Sequence, residues 1–192
     1  MPCFKRLFIA LCFTALPALA QTPLAVGDSI PADFKALDSL QREATFASLK
    51  GEKGLVLLFT RSADWCQYCK TQLRDWNAKA DALKSAGYGL AAISYDAPTT
   101  LAKFEADNKL SYMLLSDGNS AAIKRFGIRN EKFDEGSRFY GIPNPAIYVF
   151  DTAGKIAHVY REESYKDRPS IESILADIMA DDAPKADATP AQ

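Results

Sequence analysis

The 192-residue chain is 48% hydrophobic and 24% charged, with 10 Gly, 10 Pro and a formal charge of -1. That composition excludes a disordered acidic chain, a collagen and a membrane bundle, and it fits one soluble domain able to fold without disulfides. Near-neutral charge without a basic stripe removes the electrostatic basis for nucleic-acid binding.

Lys5 and Arg6 precede an apolar, small-residue stretch from Leu7 to Ala20, and Ala18-Leu19-Ala20 gives the small-x-small pattern of a signal-peptidase site. Such a stretch rises only about 21 Å as a helix, short for a bilayer core that takes about 20 residues. The expected organisation is a signal peptide over 1–20, one domain over 21–180 and a disordered Ala/Pro/Asp-rich tail over 181–192, with export to the periplasm. Cleavage before Gln21 leaves a mature chain of about -3 in which Cys66 and Cys69 are the only cysteines. One histidine and two thiols do not make the four-ligand set of a structural zinc site, so no metal and no cofactor are expected.

After a Pro- and Gly-punctuated lead-in from Gln21 to Phe34, the stretch Leu37 to Lys50 reads equally as loop, strand or helical turn. Leu55 to Phe59 is a continuous apolar run between turn signals, as expected of a central strand buried on both faces. Cys69, Leu73, Trp76, Ala80 and Leu83 recur at helical spacing, predicting one helix from Trp65 to Ala86, capped by Asp64 and stopped by Gly87. Leu90 to Tyr95 then completes a βαβ unit. A helix from the Asp96–Thr99 region, a short strand at Met113–Leu115 and a helix around Ala121–Phe126 follow. Gly127 to Ile142 reads as a long surface loop. Ala146–Phe150 and Lys155–Tyr160 form a hairpin about Asp151–Gly154, and a last helix starts near Pro169-Ser170. The sum is an α/β fold: a central mixed sheet with helices on both faces.

Trp65-Cys66-Gln67-Tyr68-Cys69-Lys70 follows the buried strand and opens the long helix. Unpaired amides and the macrodipole at a helix N-terminus favour a thiolate at Cys66. Cys69 lies one turn on, on the core-facing stripe, placed to attack a mixed disulfide formed at Cys66. His158 falls inside a strand and reads as an ordinary half-buried side chain.

These residues resemble the thioredoxin-fold superfamily, and in it the redoxin or peroxiredoxin-like (alkyl hydroperoxide reductase/thiol-specific antioxidant) branch. The resemblance runs from Leu24 to Ala180 through Val26-Gly27-Asp28, Phe59-Thr60, Asp64 to Cys69, Ser94-Tyr95-Asp96, Leu114 to Asp117, Gly127-Ile128 and Asn144 to Asp151. It implies that Cys66 is the attacking cysteine, Cys69 the resolving one, Pro145 the cis-proline facing the dithiol, and Trp65 the tryptophan beside it. Two departures stand out. Thioredoxins carry a buried acid in the strand before the motif, whereas Leu55 to Phe59 is wholly apolar; either the proton of Cys69 goes to water or to a residue outside the strand, or resolution is slow. Peroxiredoxins keep Pro-x-x-x-Thr-x-x-Cys and a distant arginine; here Thr60 stands six residues before Cys66, and Pro145 stands about where the arginine belongs. Thr60 and Arg61 therefore join the candidate site, with Arg129 and Arg138 as further sources of the cation if the long loop folds over it.

The leading reading is a thiol–disulfide oxidoreductase acting on protein disulfides and reset by an upstream thiol donor, membrane-bound or soluble. The alternative is a thiol peroxidase reducing hydroperoxides through the same two residues. A third, of another class, is a redox-inert binding or chaperone module in which Cys66→Ala changes nothing.

Overall fold

The computed structural model describes residues 22–161 and 164–181. The expected leader over 1–20 lies outside the described residues, as does the expected tail beyond Asp181.

Seven strands form one mixed sheet, ordered β2-β1-β5-β4-β3-β6-β7. The ambiguous segment after Phe34 becomes β1 (Lys35–Asp38), β2 (Glu43–Thr45) and the short helix α1 (Phe46–Leu49). Asp38 fixes the β1–β2 turn by accepting from the N–H groups of Leu40 and Arg42. Next comes β3 (Gly54–Phe59), buried at every position, parallel to β4 (Tyr88–Ser94) and antiparallel to β6 (Ala146–Phe150). A strand flanked on both edges and covered on both faces has no position for a polar side chain, which is why the sequence reads as an unbroken apolar run.

The pleat of β3 divides the core. Leu55, Leu57 and Phe59 face a cluster completed by Leu49 of α1 and by Ala122 and Ile123 of α5 (Ala121–Arg125), with Phe126 just beyond. Val56 and Leu58 face the other way, onto Leu73 and Trp76 of α2 (Gln67–Asn77), Ala80 and Leu83 of α3 (Ala80–Ser85), Leu101 and Phe104 of α4 (Pro98–Asn108), and Ile174 and Ile178 of α6 (Ile171–Asp181). Each fully buried Leu or Val contributes about 2 kcal/mol of transfer free energy, so this two-sided core dominates stability. β5 (Met113–Ser116) runs parallel to β4, and β7 (Ile156–Arg161) closes the opposite edge against β6 through the Asp151–Gly154 turn.

Two local expectations are corrected. The long helix is two helices, α2 and α3, broken at Ala78-Lys79. Asn77 accounts for the break: its side chain accepts from Ser111 N–H at 2.8 Å and donates to Lys109 O, tying the end of α2 to the α4–β5 turn. The helix cap is Cys66, not Asp64; the Cys66 sulfur accepts from Cys69 N–H at 3.3 Å, while Asp64 N–H donates to Ser62 Oγ. Between Gly127 and Ile142 there is no helix or strand, as expected, and the loop is anchored by an Arg129–Pro143 bridge. His158 is half-buried on β7 and stacks on Tyr160 at 6.0 Å.

Candidate active site

The chain leaves β3 at Thr60 and crosses the C-terminal end of β4 before entering α2, so the dithiol sits where two parallel strands end. Thr60 N–H donates to Ile93 O, continuing the ladder one residue past the strand. Asp96, just beyond β4, then holds the crossing loop. One carboxylate oxygen accepts from Ser62 Oγ at 2.8 Å; the other accepts from Ala63 N–H at 2.7 Å and Ser94 Oγ at 2.9 Å. Ser62 Oγ in turn accepts from the N–H groups of Asp64 and Trp65. The loop that delivers Cys66 is thus built on one buried carboxylate, whose pKa is raised by desolvation against the opposing effect of these hydrogen bonds.

Cys66 and Cys69 form a disulfide across one helical turn, with Cα atoms 5.2 Å apart. Both sulfur-bearing residues are covered: Cys66 is 4% exposed and Cys69 0%. Trp65 lies alongside, its indole N–H donating to Tyr95 OH at 3.0 Å and its ring meeting Phe139 edge-on at 4.8 Å. Tyr95 OH also reaches Arg138 O, so the Gly127–Ile142 loop does fold onto the site, through Phe139 and its backbone. Burial pushes the Tyr95 phenol above its ordinary value.

The candidate cations separate cleanly. Arg61 is buried, with its guanidinium 4.1 Å from the Tyr165 ring centroid and 5.0 Å from that of Trp65. Its Nε has no hydrogen-bond partner among the described residues, and neither does the buried hydroxyl of Thr60. Arg129 is taken up by Glu131, Phe133 O and the Tyr140 ring; Arg138 lies over Phe139. The loop therefore brings Phe139, backed by Phe133, against Trp65, and its two arginines are occupied within the loop itself.

Pro145 enters β6 through a trans bond, since the described residues contain no cis peptide; this corrects the cis-proline implied by resemblance. Asn144 N–H donates to Ile128 O at 2.7 Å and Ala146 already pairs with Phe59, so the chain runs extended into the sheet. Pro145 does stand close to the site, lining a small cavity with Gln72, Tyr160 and Arg168.

Sequence reasoning missed Arg168. It comes from the segment between β7 and α6, 99 residues from Cys69, and its Nη2 lies 3.8 Å from Cys69 Sγ. No sequence signal near the dithiol announces it. Asp96 and Ser94 had a signal, as part of Ser94-Tyr95-Asp96, but not a role.

A mixed sheet with a helix-capping dithiol at the ends of its central parallel strands defines a thioredoxin-like redoxin, a thiol-dependent oxidoreductase. The profile of the AhpC/TSA family matches residues 26–159, and the chain belongs to that family. Peroxiredoxin Bcp of Escherichia coli (strain K12) is 31% identical over 139 residues, covering 72% of this chain and 86% of that protein. A putative peroxiredoxin bcp of Haemophilus influenzae is 30% identical over 148 residues, covering 76% and 91%. Among solved structures, peroxidoxin BcpB from Mycobacterium tuberculosis superposes with a TM-score of 0.69 at 24% identity, covering 81% of this chain and 96% of that one. A peroxiredoxin-like protein from Aquifex aeolicus gives 0.72 at 18% identity, covering 84% and 90%.

Proposed function

We propose that the protein is a thiol peroxidase. The Cys66 thiolate attacks one oxygen of a hydroperoxide and breaks the O–O bond. The product alcohol or water leaves after taking a proton, and Cys66 becomes a sulfenic acid. The Cys69 thiolate then attacks that sulfur and expels hydroxide, which is protonated to water, closing the Cys66–Cys69 disulfide. Two electrons from an external thiol donor reopen it.

The observation that carries this reading is the burial of Cys66, 4% exposed at the N-cap of α2, next to a Trp65 that packs on Phe139 of the loop. A protein disulfide must meet the attacking sulfur in line, which needs that sulfur at the surface; a hydroperoxide presents only an O–O pair. The relatives named peroxiredoxin support the same choice. Disulfide exchange stands as the second reading on one observation, that the two cysteines are three residues apart and bond across a single turn.

The deciding experiment mixes the reduced protein with hydrogen peroxide in a stopped-flow instrument, following the fluorescence of Trp65 beside the dithiol. Oxidation far faster than that of a free thiol at the same pH is the expected result. A rate no better than a free thiol removes the peroxidase and leaves the exchanger.

We also propose that the enzyme acts in the periplasm, on the strength of Lys5-Arg6, the apolar stretch to Ala20 and the Ala18-Leu19-Ala20 site. A dithiol protein or a membrane reductant then supplies the electrons. Intact mass of the protein recovered from the periplasm should correspond to a chain starting at Gln21; an intact mass retaining Met1 overturns cleavage.

A further inference from the structure

Closing and opening the disulfide both pass through Cys69 as an anion, once as nucleophile and once as leaving group. Cys69 is 0% exposed, and burial alone pushes a thiol toward its neutral form. The adjacent strand β3, Gly54 to Phe59, carries no acid or base to move its proton. A buried thiolate without a partner is costly, so the fold needs a charge near that sulfur if the step is to run at neutral pH.

Arg168 supplies it. Its Nε donates to Gln72 Oε1 at 3.1 Å, and its Nη1 donates to Asp167 O at 2.7 Å and to Tyr165 O. Those three bonds fix the guanidinium plane and leave Nη2 directed at Cys69 Sγ, 3.8 Å away. Gln72 lies three residues after Cys69 on α2, so the residue that steers the arginine shares a helix face with the sulfur. Tyr68 and Tyr165 meet edge-on at 5.9 Å beside this contact, and Arg61 stacks on Tyr165.

We infer that Arg168 is a catalytic residue that holds Cys69 as a thiolate, replacing a proton acceptor with a fixed positive charge. In the oxidative half, Cys69–S⁻ and the Cys66 sulfenic acid give the disulfide and hydroxide. In the reductive half, a donor thiolate attacks Cys66 and forms a mixed disulfide, while the electron pair of the broken S–S bond goes to Cys69, which leaves as the anion facing Nη2. A second donor thiolate then frees Cys66. The role holds whichever oxidant the dithiol meets.

Among the described residues, Arg168 is the charged side chain hydrogen-bonded to the Cys69 sulfur, and Arg61 and Asp167 are the charges that act on Arg168. Asp96, the buried carboxylate of the neighbouring loop, is turned onto Ser62, Ala63 and Ser94. Burial first, and then the charge of Arg61, pull the Arg168 pKa below its usual value; two cations held together are consistent with a site made for an anion.

The test uses the full chain carrying Cys3→Ser, Cys12→Ser and Cys66→Ser, so that Cys69 is the sole thiol, and follows thiolate absorbance at 240 nm against pH. Cys69 is expected to titrate below the ordinary thiol value of about 8.5. Arg168→Met should raise the midpoint by at least about one pH unit, a tenfold change in the thiolate equilibrium, and Arg168→Lys should restore part of the shift. Arg168→Gln, which keeps the polarity but not the charge, decides the matter if the methionine variant does not fold. A midpoint at or above the ordinary value with Arg168 present, or one that does not move in a folded neutral variant, overturns the assignment. No peroxide enters this measurement, so it stands or falls separately from the peroxidase reading.

Discussion

Cys66→Ser is expected to abolish peroxide reduction, lowering kcat/KM by more than about a thousandfold, whereas Cys69→Ser should keep the first oxidation and lose turnover. The difference follows from position. Cys66 caps α2, and its sulfur receives the Cys69 N–H, a hydrogen bond that stabilises negative charge before any substrate arrives. Cys69 acts only after that sulfur has been oxidised. In Cys69→Ser the sulfenic acid has no partner in the site, so one equivalent of peroxide should be consumed rapidly and a sulfenic-acid reagent such as dimedone should label Cys66. Rapid peroxide consumption by Cys66→Ser, or full turnover by Cys69→Ser, removes the assigned order of the two cysteines.

Asp96→Ala is expected to destabilise the fold by about 2–4 kcal/mol and to slow oxidation of Cys66 by at least about tenfold. The substitution strands three donors at once, and although the hydroxyls of Ser62 and Ser94 can rotate to other acceptors, Ala63 N–H cannot. Because Ser62 also holds the amides of Asp64 and Trp65, the loss spreads to the loop that aims Cys66. The pH dependence has a definite sign. Burial raises the folded-state pKa of Asp96, so the folded protein binds its proton more tightly than the unfolded chain does. Its contribution is therefore complete below the unfolded carboxylate value of about 3.9 and declines as pH rises through the raised folded value. Urea denaturation of both proteins should show their stability gap wider in acid than at neutral pH. Asp117, which is also raised by burial, is common to both and cancels. A gap that widens with rising pH contradicts the assignment.

The dithiol, its helix and its strand were legible because each is a local pattern. Five apolar residues in a row define β3, and Cys66-x-x-Cys69 at the start of a helical repeat defines a reactive pair. The break between α2 and α3 was not legible, because Leu73, Trp76, Ala80 and Leu83 keep helical spacing straight through it. What breaks the helix is the Asn77 side chain bonding across to Lys109 and Ser111, more than 30 residues away. Asp64 failed as the cap for a similar reason: the Asp96–Ser62 network draws the Asp64 amide to Ser62 and leaves the capping position to Cys66.

The sequence by itself determined the two-faced sheet, the place of the thiols in it and the absence of an acid in the strand beside them, since all three follow from residue order within a strand or a helical turn. The tertiary structure alone decided which cation stands at the sulfur. The sequence put forward three arginines, Arg61, Arg129 and Arg138; two spend their charge inside the loop, and one is stacked between aromatic rings. A fourth, Arg168, reaches Cys69 because pairing of β7 with β6 and packing of α6 on the core bring a segment 99 residues distant to the first turn of α2. Periodicity records which face a side chain takes, but an approach of 3.8 Å between remote segments depends on how those faces pack.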